Sequence, residues 1–346
     1  MLDDENLIKQ HDPNSSLTIA SSQYQQVSFK AAVRNAEHDG RPIYNIVIAG
    51  MGGSALAALM VKVWLKSDLP EPMEIIRGYD LPNYVDQDTL VIVSSYSGNT
   101  EEALSCLSQA KKCGAQIGII ASSGELIKIA ESDDIAHVPL PIGFQPRMAV
   151  IYNLRALISL LINFGLVEND KLSNIQDSLE WLHTESLNWA SNVPIIDNYA
   201  KQLANKAVGK TAVFYGGTLT APIAYKWKIS WNENAKNLAF WNELPEFDHN
   251  EFIGWTSHPI EKPFIIFDII SNLEHPQILK RFKVSDKLLS GQRPKSIEIY
   301  LAGETLIQQL LWGSILADFV SIYLAILNNV NPTLVPLIEK LKEELK

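Results

Sequence analysis

Apolar residues fall in short unbroken runs, separated by turn formers and by stretches of helical length. Tyr44–Ala49 (YNIVIA), Leu90–Ser94 (LVIVS) and Gln116–Ala121 (QIGIIA) are such runs, the pattern of parallel strands buried on both faces. Met73–Arg77 and Ile135–Pro139 are shorter runs that predict further strands. Helices are predicted over Ala55–Leu65, Thr100–Cys113, Leu126–Glu131 and Met148–Phe164. Strands alternating with helices through short loops predict a parallel sheet covered on both sides.

Residues 165–205 are helical and polar, with Pro194 inside. The strand–helix pattern then restarts. Thr211–Tyr215, Phe264–Ile269 and Ile297–Leu301 read as strands, with helices at Pro222–Glu233, Pro276–Lys283 and Thr305–Leu327. AGMGGSALAA aligns with FYGGTLTAP at an offset of 164 (Gly52 to Gly216), and LVIVSSYSGNTEE aligns with FIIFDIISNLEHP. The expectation is an α/β chain of two doubly wound parallel-sheet domains related by duplication. A helical and polar lead-in (1–40) precedes the first domain (41–165), a helical connection (166–205) follows, and the second domain (206–346) carries the C-terminal helices. The second copy lacks the serines of the second loop.

Leu306–Leu327 is apolar enough to raise the question of a membrane span, which needs about 20 such residues. Its Gln308, Gln309, Ser314, Asp318 and Ser321 favour a buried core helix instead. Met1–Gln10 is polar and acidic, without the apolar core of a signal peptide. The net charge is −10 with no basic block, a poor match to nucleic acid, whose phosphates demand Lys and Arg. A local cluster of donors can still bind a small anion. Cys106 and Cys113 have the spacing of neither a zinc site nor a redox pair and are read as thiols in a reducing cytoplasm.

Two strand-to-helix turns carry candidate chemistry. Gly50-Met51-Gly52-Gly53-Ser54-Ala55 lets backbone approach an anion at a helix N-terminus. It also fits a dinucleotide fingerprint, but that motif wants an acid at the end of the next strand, where Arg77 stands. Ser95-Tyr96-Ser97-Gly98-Asn99-Thr100 follows the second buried strand. Its three hydroxyls and the N–H groups of the helix start form a neutral cup for a phosphate dianion. Thr100 is also a natural N-cap.

These turns together resemble the sugar isomerase (SIS) domain. Further along, Gln145-Pro146-Arg147, Asn232-Glu233-Asn234-Ala235-Lys236, Glu243 to Glu251 (ELPEFDHNE) and Gly303-Glu304-Thr305 resemble the bifunctional phosphoglucose/phosphomannose isomerases. The resemblance implies an aldose–ketose isomerase without metal or other cofactor. It would act on glucose 6-phosphate, mannose 6-phosphate and fructose 6-phosphate through an enediolate. It implies Glu233 as the base, His249 as the ring-opening group and Arg147 as the stabiliser of the intermediate. Gly52, Gly53, Ser54, Ser95, Ser97 and Thr100 would hold the phosphate, and Thr305 would leave room for the mannose epimer. The residues suit these tasks: a carboxylate can move a proton between carbons, a histidine can shuttle one at neutral pH, and a fixed cation can steady an enediolate. Some relatives carry a lysine on the last long helix. Thr305–Leu327 has none, and Lys340 is too far along to replace it.

The resemblance also implies a homodimer in which His249 comes from the neighbouring subunit. The apolar helix at 305–327 and Trp227, Trp231, Trp241 and Trp255 are candidates to bury that interface. The remaining histidines, at 11, 38, 137, 183, 258 and 275, lack a catalytic context. The alternatives are a non-catalytic phosphosugar-binding protein, which leaves Glu233 and His249 without a task, and an NADP-dependent oxidoreductase, which only Arg77 favours. Neither a nucleic acid nor a membrane is expected as partner.

Overall fold

The computed structural model describes every residue except His258, Ile260 and Lys346. Helices α1 (Glu5–His11) and α2 (Ser16–Ser22) open the chain. The first sheet then runs through β1 (Asn45–Gly50), β2 (Met73–Ile76), β3 (Thr89–Ser94), β4 (Gln116–Ala121) and β5 (Ala136–Pro139). Between them lie α3 (Gly52–Trp64), α4 (Glu101–Cys113) and α5 (Gly124–Ser132), and α6 (Val150–Asn163) follows. All strand pairs are parallel, in the order β2-β1-β3-β4-β5. In a sheet wound this way the connections reverse direction between β1 and β3, and ligands bind outside the strand ends there. Both candidate turns follow those two strands.

Burial explains why these segments are strands. Ile46, Val47, Ile48, Leu90, Val91, Ile92 and Val93 are each at most 1% exposed, so both faces of β1 and β3 are covered. Helices α4 and α5 cover one face through Ala103, Leu107, Ala110, Leu126 and Ala130. Helix α3 packs on α6.

Helices α7 (Asp170–Gln176), α8 (Leu179–Asn188) and α9 (Tyr199–Ala207) precede the second sheet. That sheet comprises β6 (Thr211–Gly216), β7 (Ala239–Glu243), β8 (Phe264–Ile270) and β9 (Ile297–Tyr300), parallel in the order β7-β6-β8-β9. Its helices are α10 (Ala221–Ala235), α11 (Glu251–Gly254), α12 (Pro276–Leu288) and α13 (Leu306–Leu327), and α14 (Pro336–Glu344) ends the chain. Strand β7 escapes the apolar-run pattern. It is an edge strand with Phe240 50% exposed, and Asn242 and Glu243 interrupt its short run.

The chain divides into two units that do not follow chain order. One is 25–180; the other joins 1–24 to 181–346. In the second unit, α1 and α2 lie against α13. Ser16 Oγ meets Thr333 Oγ1 at 2.6 Å, and Gln23 donates to Asp318 at 2.9 Å. The lead-in therefore splits between the units instead of serving the first strand alone.

Helix α13 is long and apolar enough to span a membrane, yet 94% of its apolar window is buried in protein. Its one charge, Asp318, is fully buried and paired with the equally buried Lys226 of α10 at 2.7 Å. Ser230 donates to the same carboxylate at 2.8 Å. The aromatic residues expected at an interface are mostly spent inside this unit. Trp227 and Trp231 are 0% exposed and Trp255 is 7% exposed. Trp227 and Trp231 pack on Phe214 and Phe267. Their apolar area is already removed from water by the fold, as is that of α13, so neither is left to bury an interface.

Removing one partner of a buried pair strands the other charge, at a cost of about 3–5 kcal/mol. Lys226→Met is expected to lose stability on that scale in urea unfolding at neutral pH. A second prediction concerns Asp268 on β8. Burial pushes its carboxyl up to about 7, against the opposing pull of Arg293 and Ser296. An unfolded Asp releases its proton near pH 3.9, so between about pH 4 and 7 the folded chain holds the extra proton. Stability therefore falls as pH rises through that window. Asp268→Asn is expected to flatten this slope in thermal melts.

Candidate active site

The cup forms where β1 and β3 end. Gly53 sits in the first turn of α3, whose leading N–H groups have no partner within the helix. A Cβ on Gly53 would lie 2.7 Å from the carbonyl oxygen of Pro146, so glycine here lets the turn bearing Arg147 close against the helix start. Ser54 is buried, and its Oγ accepts from the Tyr96 N–H at 3.1 Å. One hydroxyl thus joins the two turns.

In the second turn Ser95 is the hub. Its Oγ lies 2.7 Å from Thr100 Oγ1 and 3.5 Å from Ser97 Oγ, and it accepts from the Gly98 N–H at 3.2 Å. Thr100 does occupy the N-cap of α4, but its hydroxyl makes no capping bond. The bond to Ser95 turns it into the cup instead. Gly98 has φ +70°, and a Cβ there would meet the Ser123 carbonyl oxygen at 1.8 Å. No other residue fits. Asn99, whose role in the motif its position alone does not reveal, braces the loop by accepting from the Glu125 N–H at 2.9 Å.

Tyr96 links the cup to Arg147. Its hydroxyl donates to the Pro141 carbonyl at 2.7 Å and accepts from the Phe144 N–H at 2.9 Å. Burial pushes this phenol above its usual pKa, the Phe144 N–H opposing, so the hydroxyl stays a donor. The segment it holds leads to the turn Pro146–Met148, where Arg147 is 2% exposed and donates to Gln145 Oε1 at 3.3 Å. The unit 25–180 therefore brings Gly52, Gly53, Ser54, Ser95, Ser97, Thr100 and Arg147 to one sheet edge.

The other candidates belong to the second unit and are dispersed there. Half-buried Glu233 is in the last turn of α10, and the neighbouring Asn232 accepts from Ala239 N–H at the start of β7, 3.0 Å away. His249 is exposed, in the turn Glu246–His249 beyond the end of β7. The five residues of β7 separate them, roughly 13 Å of strand. Thr305 follows β9 at the opposite edge of the sheet, where it caps α13 in a reciprocal box with Gln308. Within one chain, then, Glu233 and His249 stand at opposite ends of the sheet. His258 lies outside the described residues.

The second sheet has its own turn after β6, and it is filled. Buried Glu274 accepts from Leu219 N–H at 2.6 Å and from Thr218 Oγ1 at 2.9 Å. Thr220 Oγ1 donates to the Ile269 carbonyl at 2.6 Å. A carboxylate from the chain itself takes the donors of this turn. In strand terms the repeat also shifts: β6 ends at Gly216 as β1 ends at Gly50. Among the described residues no group of three or more His, Cys, Asp or Glu side chains is placed to hold a metal ion.

Comparison with known proteins identifies the two domains. Residues 42–156 match the SIS domain family, and residues 196–345 match the bacterial phospho-glucose isomerase C-terminal SIS domain family. The bifunctional phosphoglucose/phosphomannose isomerase of Aquifex aeolicus is 33% identical over 89% of this chain and 92% of its own length. That of Caldicellulosiruptor bescii is 36% identical, over 88% and 90%. A glucose-6-phosphate isomerase like protein from Thermus thermophilus shares the fold, with a TM-score of 0.65 at 17% identity over 99% of this chain and 98% of that one.

Ser95→Ala removes the hub hydroxyl. Lost hydrogen bonds to a charged group are worth about 1.5–3 kcal/mol, so calorimetric affinity for a phosphate ester is expected to fall roughly ten- to hundredfold. An unchanged affinity would remove the cup from the site.

Proposed function

Because the chain belongs to the family of bifunctional phosphoglucose/phosphomannose isomerases, we propose that it interconverts glucose 6-phosphate and mannose 6-phosphate with fructose 6-phosphate, using the residues described above. The observation that carries this reading is the hydroxyl cup at 95–100, tied to Ser54 and braced towards Arg147. In it the phosphate accepts from Ser54, Ser95, Ser97 and Thr100 and from the N–H groups of Gly52 and Gly53.

His249 carries the proton of the anomeric O1 to the ring oxygen as the bond from C1 to that oxygen breaks, giving the open-chain aldehyde. Glu233 removes the proton from C2, and the electron pair moves through C1 to the carbonyl oxygen. Arg147 stabilises the enediolate, a fixed charge acting where negative charge develops. The proton on O2 passes to O1, Glu233 returns its proton to C1 as the C2 carbonyl forms, and the ketose closes its ring. Glucose and mannose 6-phosphates differ only at C2, which is planar in the intermediate, and rotation about C2–C3 presents either face of it to the one base. Thr305, small and held by its cap, leaves space for either epimer. Reactants this charged do not cross membranes unaided, which supports a cytoplasmic site of action.

We read the protein as a homodimer with His249 supplied by the neighbouring subunit. The support is the separation of Glu233 and His249 by the length of β7 within one chain. Glu233→Gln is expected to abolish deuterium exchange at C2 while fructose 6-phosphate still binds. His249→Ala is expected to be inactive on cyclic substrates. Mixing the two variants under subunit exchange restores one intact site per heterodimer, about a quarter of wild-type activity. No recovery would overturn the shared site, and a fully active Glu233→Gln would overturn the base. Binding without turnover by the wild-type chain would leave a phosphosugar-binding protein.

A further inference from the structure

His249 makes no side-chain hydrogen bond among the described residues, so only the backbone beneath it can aim its imidazole. That backbone is a turn of four residues, Glu246–His249, too short to hold its own shape. Phe247 anchors it from below, 1% exposed, with its ring 4.5 Å from that of Tyr215.

The residue next to His249 anchors it from the side. The Asp248 carboxylate accepts from Arg281 Nη1 at 2.7 Å and from Ser285 Oγ at 3.0 Å. Arg281 and Ser285 are four residues apart on α12, hence on one face of the helix. Asp248 is 15% exposed and Arg281 40%, so this is a half-buried, charge-assisted contact and not a loose surface pair. The far side of the turn is also held. Asn250 accepts from Glu251 N–H and donates to Glu246 Oε1, each at 2.6 Å. Glu251 in turn accepts from the Tyr215 hydroxyl and, at 2.8 Å, from Asn242 Nδ2. Of these contacts, the Asp248 clamp alone ties the turn to α12.

We propose that Asp248, clamped by Arg281 and Ser285, is a positioning residue that aims His249 for ring opening. The proposal rests on the assignment of His249 given above. Asp248 itself touches no reacting atom; it acts through the main chain it fixes. Misplacing a catalytic group by about 1 Å costs on the order of a hundredfold, so a clamp one residue away is worth preserving.

The test separates ring opening from proton transfer. Fructose 6-phosphate is cyclic and needs opening. 5-Deoxyfructose 6-phosphate lacks the hydroxyl that closes the ring and is already open. Asp248→Asn keeps the shape of the side chain and removes its charge. It is expected to lower kcat/KM on fructose 6-phosphate by roughly ten- to hundredfold and to leave the open-chain analogue within about twofold. Arg281→Gln, at a half-exposed helix position, is expected to give the same split should Asp248→Asn fold poorly, and Arg281→Lys to recover part of the loss. Equal losses on both substrates would make the clamp merely structural and overturn the proposal, as would no loss on either. His249→Ala impaired on the cyclic substrate with both clamp variants unimpaired would defeat the clamp alone. His249→Ala unimpaired on that substrate would defeat the ring-opening assignment, and the clamp with it.

Discussion

The buried pair between Lys226 and Asp318 is the constraint on which the second unit depends. The two side chains pair at 0% exposure, and Ser230 and Gln23 donate to the same carboxylate. Such a pair adds little net stability compared with well-packed apolar side chains, because desolvation offsets most of the attraction. What it does is forbid other registers of α10 on α13. A slip of one turn between two such apolar helices would bury both charges unpaired. Through Gln23, the same carboxylate ties the start of the chain into this unit. Further along α10, Asn234 donates to Ser321 at 2.9 Å, and Glu233 lies beside it. The position of the proposed base is thus set by an ion pair two turns away.

The two sheets show how similar frames acquire different chemistry. Each turns from its first strand into a helix whose leading N–H groups seek an acceptor. After β1 and β3 the polar side chains of the turns are hydroxyls, which donate as well as accept. After β6 the carboxylate of Glu274 occupies the place. That carboxylate holds Thr218 and Leu219, just before the N-cap Thr220 of α10.

The proposed reaction separates tasks by rigidity. The phosphate cup is built from buried or braced groups at the ends of central strands, suited to holding a charge without rearrangement. His249 is exposed on a short turn and depends on its neighbours for direction. A proton shuttle benefits from reach, whereas an anion site benefits from preorganisation.

Much of this was legible from the chain alone. Runs such as YNIVIA and LVIVS are apolar at nearly every position, the pattern of a strand covered on both faces. Glycine at 53 and 98 marks two tight turns because local backbone geometry demands that residue type, and the hydroxyls at 54, 95, 97 and 100 are the donors on which the proposed anion site rests. The edge strand β7 was not legible, since part of it faces water and its run is short. Tertiary structure decided what depends on partners far away in sequence: that Thr100 bonds Ser95 instead of capping α4, that the tryptophans fill the interior, that Glu274 closes the second turn, and that Arg281 and Ser285 hold the turn bearing His249. Sequence spacing encodes local periodicity and backbone freedom; which long side chain meets which across a fold is settled only when the strands and helices pack.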